Sequence, residues 1–159
     1  MPGDKYITGY YGEVEVVLGD AHEKGNRSYI MSRIRSKNTK PEGMVCKYLF
    51  SKGLRYRKND KRYPGHPDIV LPKYKTVVFI NGCFWHHHDG CKVSHIPKSN
   101  VDFWERKIER NINRDKENQA QLMGAGWRVI VVWECELKKT VAEQRLERLY
   151  EQIVNKPRE

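Results

Sequence analysis

Residues 76–91 read TVVFINGCFWHHHDGC. Thr76 to Ile80 is a β-branched and apolar run of strand length with no polar alternation, the pattern of a strand covered on both faces. It empties into Asn81-Gly82, a turn signal. Beyond the turn come Cys83, Phe84-Trp85, three consecutive histidines, Asp89 and Cys91. An ordinary solvent loop does not set two large aromatics beside His86-His87-His88. A buried strand therefore delivers a concentration of metal-capable and stacking-capable side chains at its C-terminal end.

Working upstream, Pro72–Lys75 is a turn and Asp68–Leu71 the preceding strand. Tyr63-Pro64-Gly65-His66-Pro67 is a rigid bend, and Leu54–Lys58 alternates as a further strand. Thr39-Lys40-Pro41-Glu42 has the form of a capping box with proline in the first turn. It predicts a helix with Met44, Val45, Tyr48 and Leu49 as its apolar stripe and Gly53 as its stop. Cys46 on that helix is a core or surface thiol, and Glu42 is accounted for by the cap.

Downstream, Ser99-Asn100-Val101-Asp102 is a second capping box. It predicts a helix to about Met123, closed by Gly124, with Val101, Trp104, Ile108, Ile112, Asp115 and Leu122 at helical spacing. Asp115 falls close to the apolar face and needs a partner there. Trp127–Trp133 reads as a buried strand, and Thr140-Val141-Ala142-Glu143 caps a last helix with Ala142, Leu146, Leu149 and Ile153 inward. The order is helix, three strands, helix, strand, helix: an α/β fold in a single domain over residues 25–159. Residues 1–24 differ from the rest. Tyr6–Leu18 suggests a strand, interrupted by Gly9 and Gly12, in an extension of unassigned role.

The chain has 159 residues and a net charge of +10. Two lysines and five acids in residues 1–24 leave the remainder at +13. A small domain this basic suits a polyanion, most commonly nucleic acid. Arg27, Arg33, Arg35, Lys37 and Lys40, among hydroxyls and amides, suit phosphate contacts, or the solvated face of a short helix. No apolar run approaches a membrane span, and no secretory leader is visible, so the cytoplasm is the expected compartment. With no such leader, four cysteines point to metal or free thiols rather than disulfides.

Cys83, His88, Cys91 and Cys135 offer three thiolates and one imidazole, a structural zinc composition, with His87 as an alternative to His88. Asp68, at the start of a strand, is either a turn former or a Mg²⁺ ligand. The element order with an acid there is the core layout of restriction-endonuclease-like nucleases, a helix–three strands–helix–strand core. The usual second carboxylate is absent from Val78-Phe79-Ile80. His86, if not a zinc ligand, could take a proton from an attacking water, with Asp115 to orient it. Phe84, Trp85 and Trp104 are flat enough to enter between base pairs, although Trp104 also falls on the helix's apolar stripe.

Together MSRIRSKNTKPE, YPGHPDIV, VVFINGCFWHHH, FWERKIERNINRD and GWRVIVVWECEL resemble the very-short-patch-repair (Vsr) DNA mismatch endonucleases, in family order over roughly residues 27–137. The resemblance implies a strand-specific nick beside a T:G mismatch arising from deaminated 5-methylcytosine. It implies Mg²⁺ held by Asp68 and the backbone carbonyl of Ile80, His86 as general base, and Asp115 and Glu42 as supporting acids. It also implies zinc on Cys83, His88, Cys91 and Cys135, an aromatic wedge of Phe84, Trp85 and Trp104, and action on double-stranded DNA in the bacterial nucleoid; a monomer is the simpler expectation. Three departures stand out. Asn81 occupies a position where family members often have His, and can still hydrogen-bond a phosphate or water. One extra residue separates His88 from Cys91, and residues 1–24 have no counterpart. Two other readings compete: a restriction-type or structure-selective nuclease of the same fold, and a zinc-stabilised DNA-binding module without catalysis.

Overall fold

A computed structural model describes residues 5–9, 12–16 and 39–155 of the chain. Strands β1 (Lys5–Gly9) and β2 (Gly12–Val16) pair antiparallel, with Gly9 opposite Gly12. The sequence suggests one interrupted strand here; the structure instead has two strands, 5–9 and 12–16, paired with each other. The boundary at residue 25 and the basic stretch 26–38 lie outside the described residues.

Helix α1 (Lys40–Ser51) starts as expected, with the Thr39 side chain accepting from the Glu42 N–H at 3.5 Å. It ends in a Schellman turn. The Gly53 N–H donates to the Phe50 carbonyl and the Leu54 N–H to the Leu49 carbonyl, at 3.0 and 3.1 Å, with Gly53 at φ +79°. That turn takes Leu54 out of the following strand and into the core. Strand β3 is therefore only Arg57–Lys58, shorter than the alternating pattern suggests.

Strands β4 (Ile69–Leu71) and β5 (Thr76–Asn81) form the expected hairpin. Helix α2 (Val101–Gly124) then crosses to β6 (Arg128–Trp133), which lies parallel to β5, before helix α3 (Ala142–Val154). The sheet order β3-β4-β5-β6 is mixed: antiparallel for the first two pairings and parallel for the last.

Three caps differ from their sequence signatures. Asn100, not Ser99, caps α2; it sits in the left-handed region at φ 54°, which Asn tolerates, and its carbonyl accepts from the Trp104 N–H at 3.1 Å. Gly126, not Gly124, closes the other end, at φ +84°, with the Trp127 N–H donating to the Leu122 carbonyl at 3.0 Å. That bond draws Trp127 out of β6. At α3 the N-cap is Val141 rather than Thr140. A backbone turn, with the Val141 and Ala142 N–H groups donating to the Lys138 carbonyl at 3.0 and 2.7 Å, does the work expected of the hydroxyl.

The period-two alternation of the strands sorts the core into two faces. Ile69, Leu71, Val78 and Val132 meet α1 (Val45, Leu49) and α3 (Leu146, Leu149, Ile153) on one side. Val70 and Val77 meet Leu122 of α2 on the other. Burial on both faces explains the unbroken apolar run in β5. Cys46 is a core thiol, and the Tyr56 hydroxyl donates to its carbonyl at 2.9 Å. Among the described residues no helix is long and apolar enough to cross a membrane.

Candidate active site

Ligands of open α/β sheets gather beyond the carboxyl ends of parallel strands. Here β5 ends at Asn81 beside Trp133 of β6, and a cavity of about 790 Å³ opens there. Its walls come from the start of α1, the 59–68 loop, the ends of β5 and β6, and the middle of α2. Helix α2 explains its own part. Trp104, Ile108 and Leu122 are buried, but the inward positions between Ile108 and Leu122 carry Asn111, Asp115 and Asn118. The apolar stripe turns polar where the helix crosses the cavity. The loop lies flush against it: a Cβ on Gly65 would meet Asn118 at 3.1 Å and the Phe79 ring at 3.2 Å.

Asp68 stands directly before β4, and its Oδ2 accepts from the Ile80 N–H at 2.7 Å. Asp68 and the Ile80 main chain are thus brought together, through the Ile80 N–H. Burial pushes the Asp68 carboxyl up to about 7, helped by the Glu42 charge and opposed by the Ile80 hydrogen bond and His86. Across the cavity the His86 Nδ1 is hydrogen-bonded to Asp115 Oδ2, which is the partner that Asp115 requires. An Nδ1–H donated to a carboxylate leaves Nε2 as a proton acceptor. Arg114 Nη2 lies 3.9 Å from the other Asp115 oxygen.

Glu42 and Asn81 also line this space. So do residues that the sequence reading did not single out: Lys61, His66, Lys107, Asn111, Asn118 and Glu134. Glu134 follows β6 directly, and burial pushes its carboxyl up to about 8. Asp68, Glu42, Glu134 and Asn81 form an oxygen-rich neighbourhood. That donor set fits a hard divalent cation such as Mg²⁺.

A second cluster lies on the far side of the turn after β5. The ligand atoms of Cys83, His88, Cys91 and Cys135 all fall within 4.8 Å of one another. His88 Nδ1 is 3.6 Å from the Cys83 sulfur and 3.2 Å from that of Cys135. Tetrahedral zinc with its usual bond lengths sets such N···S edges at about 3.6 Å, so the donors fit. His87 points elsewhere; it is exposed, at φ 49°. The His88 ring stacks on Trp133, centroids 4.3 Å apart, which fixes its orientation. Burial raises the Cys83 and Cys135 thiols above their ordinary values, so metal binding there must expel protons.

The aromatics divide. Phe84 and Trp104 are 0% and 1% exposed, packed edge-to-face with each other and with Ile108. Of the three candidate wedge residues only Trp85 keeps solvent-facing surface, with its ring beneath the Lys107 ammonium at 5.1 Å. Drawing Phe84 or Trp104 out would forfeit about 1.5–3 kcal/mol each, as much as stacking on a base returns. Phe103, 53% exposed beside them, is an aromatic that the sequence reading passed over.

Carboxylates at strand ends, an imidazole held by an acid, and a basic surface around them are the equipment of a phosphodiesterase that works on nucleic acid. The comparisons with known proteins agree. The family model described as DNA mismatch endonuclease Vsr matches residues 19–92. Type II nicking enzyme V.NmeAIP of Neisseria meningitidis serogroup A is 58% identical over 137 residues, 86% of this chain and 97% of that protein. DNA mismatch endonuclease Vsr of Escherichia coli K12 is 40% identical over 139 residues, 86% of this chain and 88% of that protein. Type II nicking enzyme V.XorIIP of Xanthomonas oryzae is 51% identical over 70% of this chain and 81% of that protein. The chain belongs to the Vsr family of DNA mismatch endonucleases, and is an endodeoxyribonuclease.

Proposed function

We propose that the protein nicks one strand of double-stranded DNA beside a T:G mismatch, in a reaction that depends on Mg²⁺. The observation that carries this reading is the convergence on one cavity of Asp68, joined to Ile80, and the His86–Asp115 pair. Asp68 and the Ile80 carbonyl would hold Mg²⁺, with Glu42 in support. Bound there, the cation would neutralise charge building on the scissile phosphate and acidify a water. His86 takes the proton of the attacking water at Nε2, and Asp115 keeps the ring in the tautomer that leaves Nε2 free. Asn81, within the same cavity, hydrogen-bonds the phosphate or the water.

Cys83, His88, Cys91 and Cys135 would hold a structural zinc that pins the loop after β5 to the end of β6. Trp85 then stacks on the base pair next to the mismatch, braced by Phe84 and Trp104. The basic approach supplies phosphate contacts. That relatives in Neisseria meningitidis and Xanthomonas oryzae are type II nicking enzymes supports nicking as the outcome.

The test is a nicking assay with Mg²⁺ on one duplex carrying T:G and on its T:A control. The expected result is one nick, in the T-bearing strand of the mismatched duplex only. Equal cutting of both duplexes would overturn mismatch specificity, and undiminished cutting with Mg²⁺ withheld would overturn the cation's part.

A further inference from the structure

Two polar side chains in the cavity have no role in the fold. Asn81 is 6% exposed and Glu134 is 6% exposed. Among the described residues neither the amide of Asn81 nor the carboxyl of Glu134 has a hydrogen-bond or ion-pair partner. Glu136, two residues on, shows what a structural acid looks like here. It accepts from the Trp133 N–H at 2.9 Å and from Arg145 Nε at 3.0 Å. Glu134 has no such engagement. An unpaired buried carboxyl costs a fold free energy, and a buried amide does so to a lesser degree.

The two orphans are neighbours by register. Asn81 is opposite Trp133 across the parallel pair, and Glu134 is the next residue; Ile80 is opposite Val132. They therefore stand at the ends of adjacent strands, and both line the cavity that Asp68 and Ile80 line. A carboxylate repels phosphate and attracts a cation. Magnesium keeps several of its waters when it binds through one or two carboxylates, and those waters need acceptors.

We propose that Glu134 and Asn81 are the seat for the water shell of a divalent cation held at Asp68. Glu134 accepts hydrogen bonds from metal-bound water, and Asn81 holds the same shell through its carbonyl oxygen. Glu134 is then a positioning residue. This inference rests on the reading of Asp68 as a cation ligand, and the experiment separates the two.

Zinc-loaded protein is titrated with Mn²⁺, with free Mn²⁺ followed by electron paramagnetic resonance, for wild type, Glu134→Gln and Asp68→Asn. Each is also melted without added divalent cation, and its binding to intact T:G duplex is measured in the same buffer. Glu134→Gln should weaken Mn²⁺ binding about tenfold or more, the usual cost of losing a partner outside the ligand shell. Its melting temperature without Mn²⁺ should not fall, since Gln has the same shape and Glu134 supports nothing in the fold. Its DNA binding should be unchanged. Asp68→Asn should lose Mn²⁺ binding almost entirely. Wild-type Mn²⁺ affinity in Glu134→Gln overturns the proposal, whether the variant melts lower, as for a structural residue, or binds DNA less well, as for a DNA contact. If Glu134→Gln loses affinity while Asp68→Asn keeps it, the seat stands and the assignment of Asp68 falls.

Discussion

Asp68→Asn should stabilise the protein when no Mg²⁺ is present, even as it abolishes nicking. Burial raises the Asp68 carboxyl to about 7, whereas in the unfolded chain it titrates near its ordinary value of about 3.9. The folded state thus keeps a proton that the unfolded chain releases. Stability that is complete below about pH 4 is lost as pH rises towards about 7. A rise of that size corresponds to at most about 4 kcal/mol, and water entering the open cavity reduces it, so about 2–4 kcal/mol is expected. Asn keeps an acceptor for the Ile80 N–H and carries no charge to desolvate. Urea unfolding of zinc-loaded protein, at about pH 4.5 and about pH 8, reads the effect directly. The two proteins should be close at the lower pH, and the variant more stable by about 2–4 kcal/mol at the higher one. Glu134, pushed up to about 8, titrates in the same direction in both and drops out of the difference. Saturating Mg²⁺ should reverse the order, because only the wild type gains from binding it. If Asp68→Asn is no more stable than wild type at about pH 8, the carboxyl is not held against its charge, and the reasoning fails.

Three other outcomes follow from the same geometry. Metal analysis should find about one zinc per chain, and Cys135→Ser should lose it and lower the melting temperature by several degrees; metal-free protein with wild-type stability would remove the zinc role. Asp115→Asn cannot hold His86 as an Nδ1 donor to a carboxylate, so nicking should fall about 10²–10⁴-fold with DNA affinity intact. Trp85→Ala should cost about 1–3 kcal/mol of binding to mismatched duplex, measured by fluorescence anisotropy, and little on the T:A control; an equal loss on both would deny it the wedge role.

Much of this architecture was legible because it rests on local chemistry. The unbroken run Thr76–Ile80 requires helices on both sides, and α1, α3 and α2 supply them. Asp115 on an inward helical position required a partner, and it has His86. The clustering of Cys83, His88, Cys91 and Cys135 follows from spacing plus one distant strand end. Other features depend on how elements meet. Ser99 and Thr140 look like caps, yet backbone geometry at Asn100 and around Lys138 does their work. Glu134 reads as an unremarkable acid after a strand, and only the packing of the strand ends buries it. Asn118 had a signal that went unused: it is three residues beyond Asp115 on the same helical face. Phe84 and Trp104 carry the same letters whether they stand out or pack in, and the cluster with Ile108 decides for packing.

Helix α2 has one more consequence. It carries Trp104 at the aromatic cluster, Asp115 at its hydrogen bond to His86 and Leu122 in the core, all on one continuous rod. Eleven residues at 1.5 Å each set Trp104 and Asp115 about 16 Å apart along the axis. Under the proposed function the helix would work as a ruler, with the support of the Trp85 feeler at one mark and the partner of His86 at another. A single residue inserted between the marks would turn one against the other by about 100°. The aromatic cluster and the His86–Asp115 pair would then face different ways, and on the proposed reading nicking would be lost although each part remained whole.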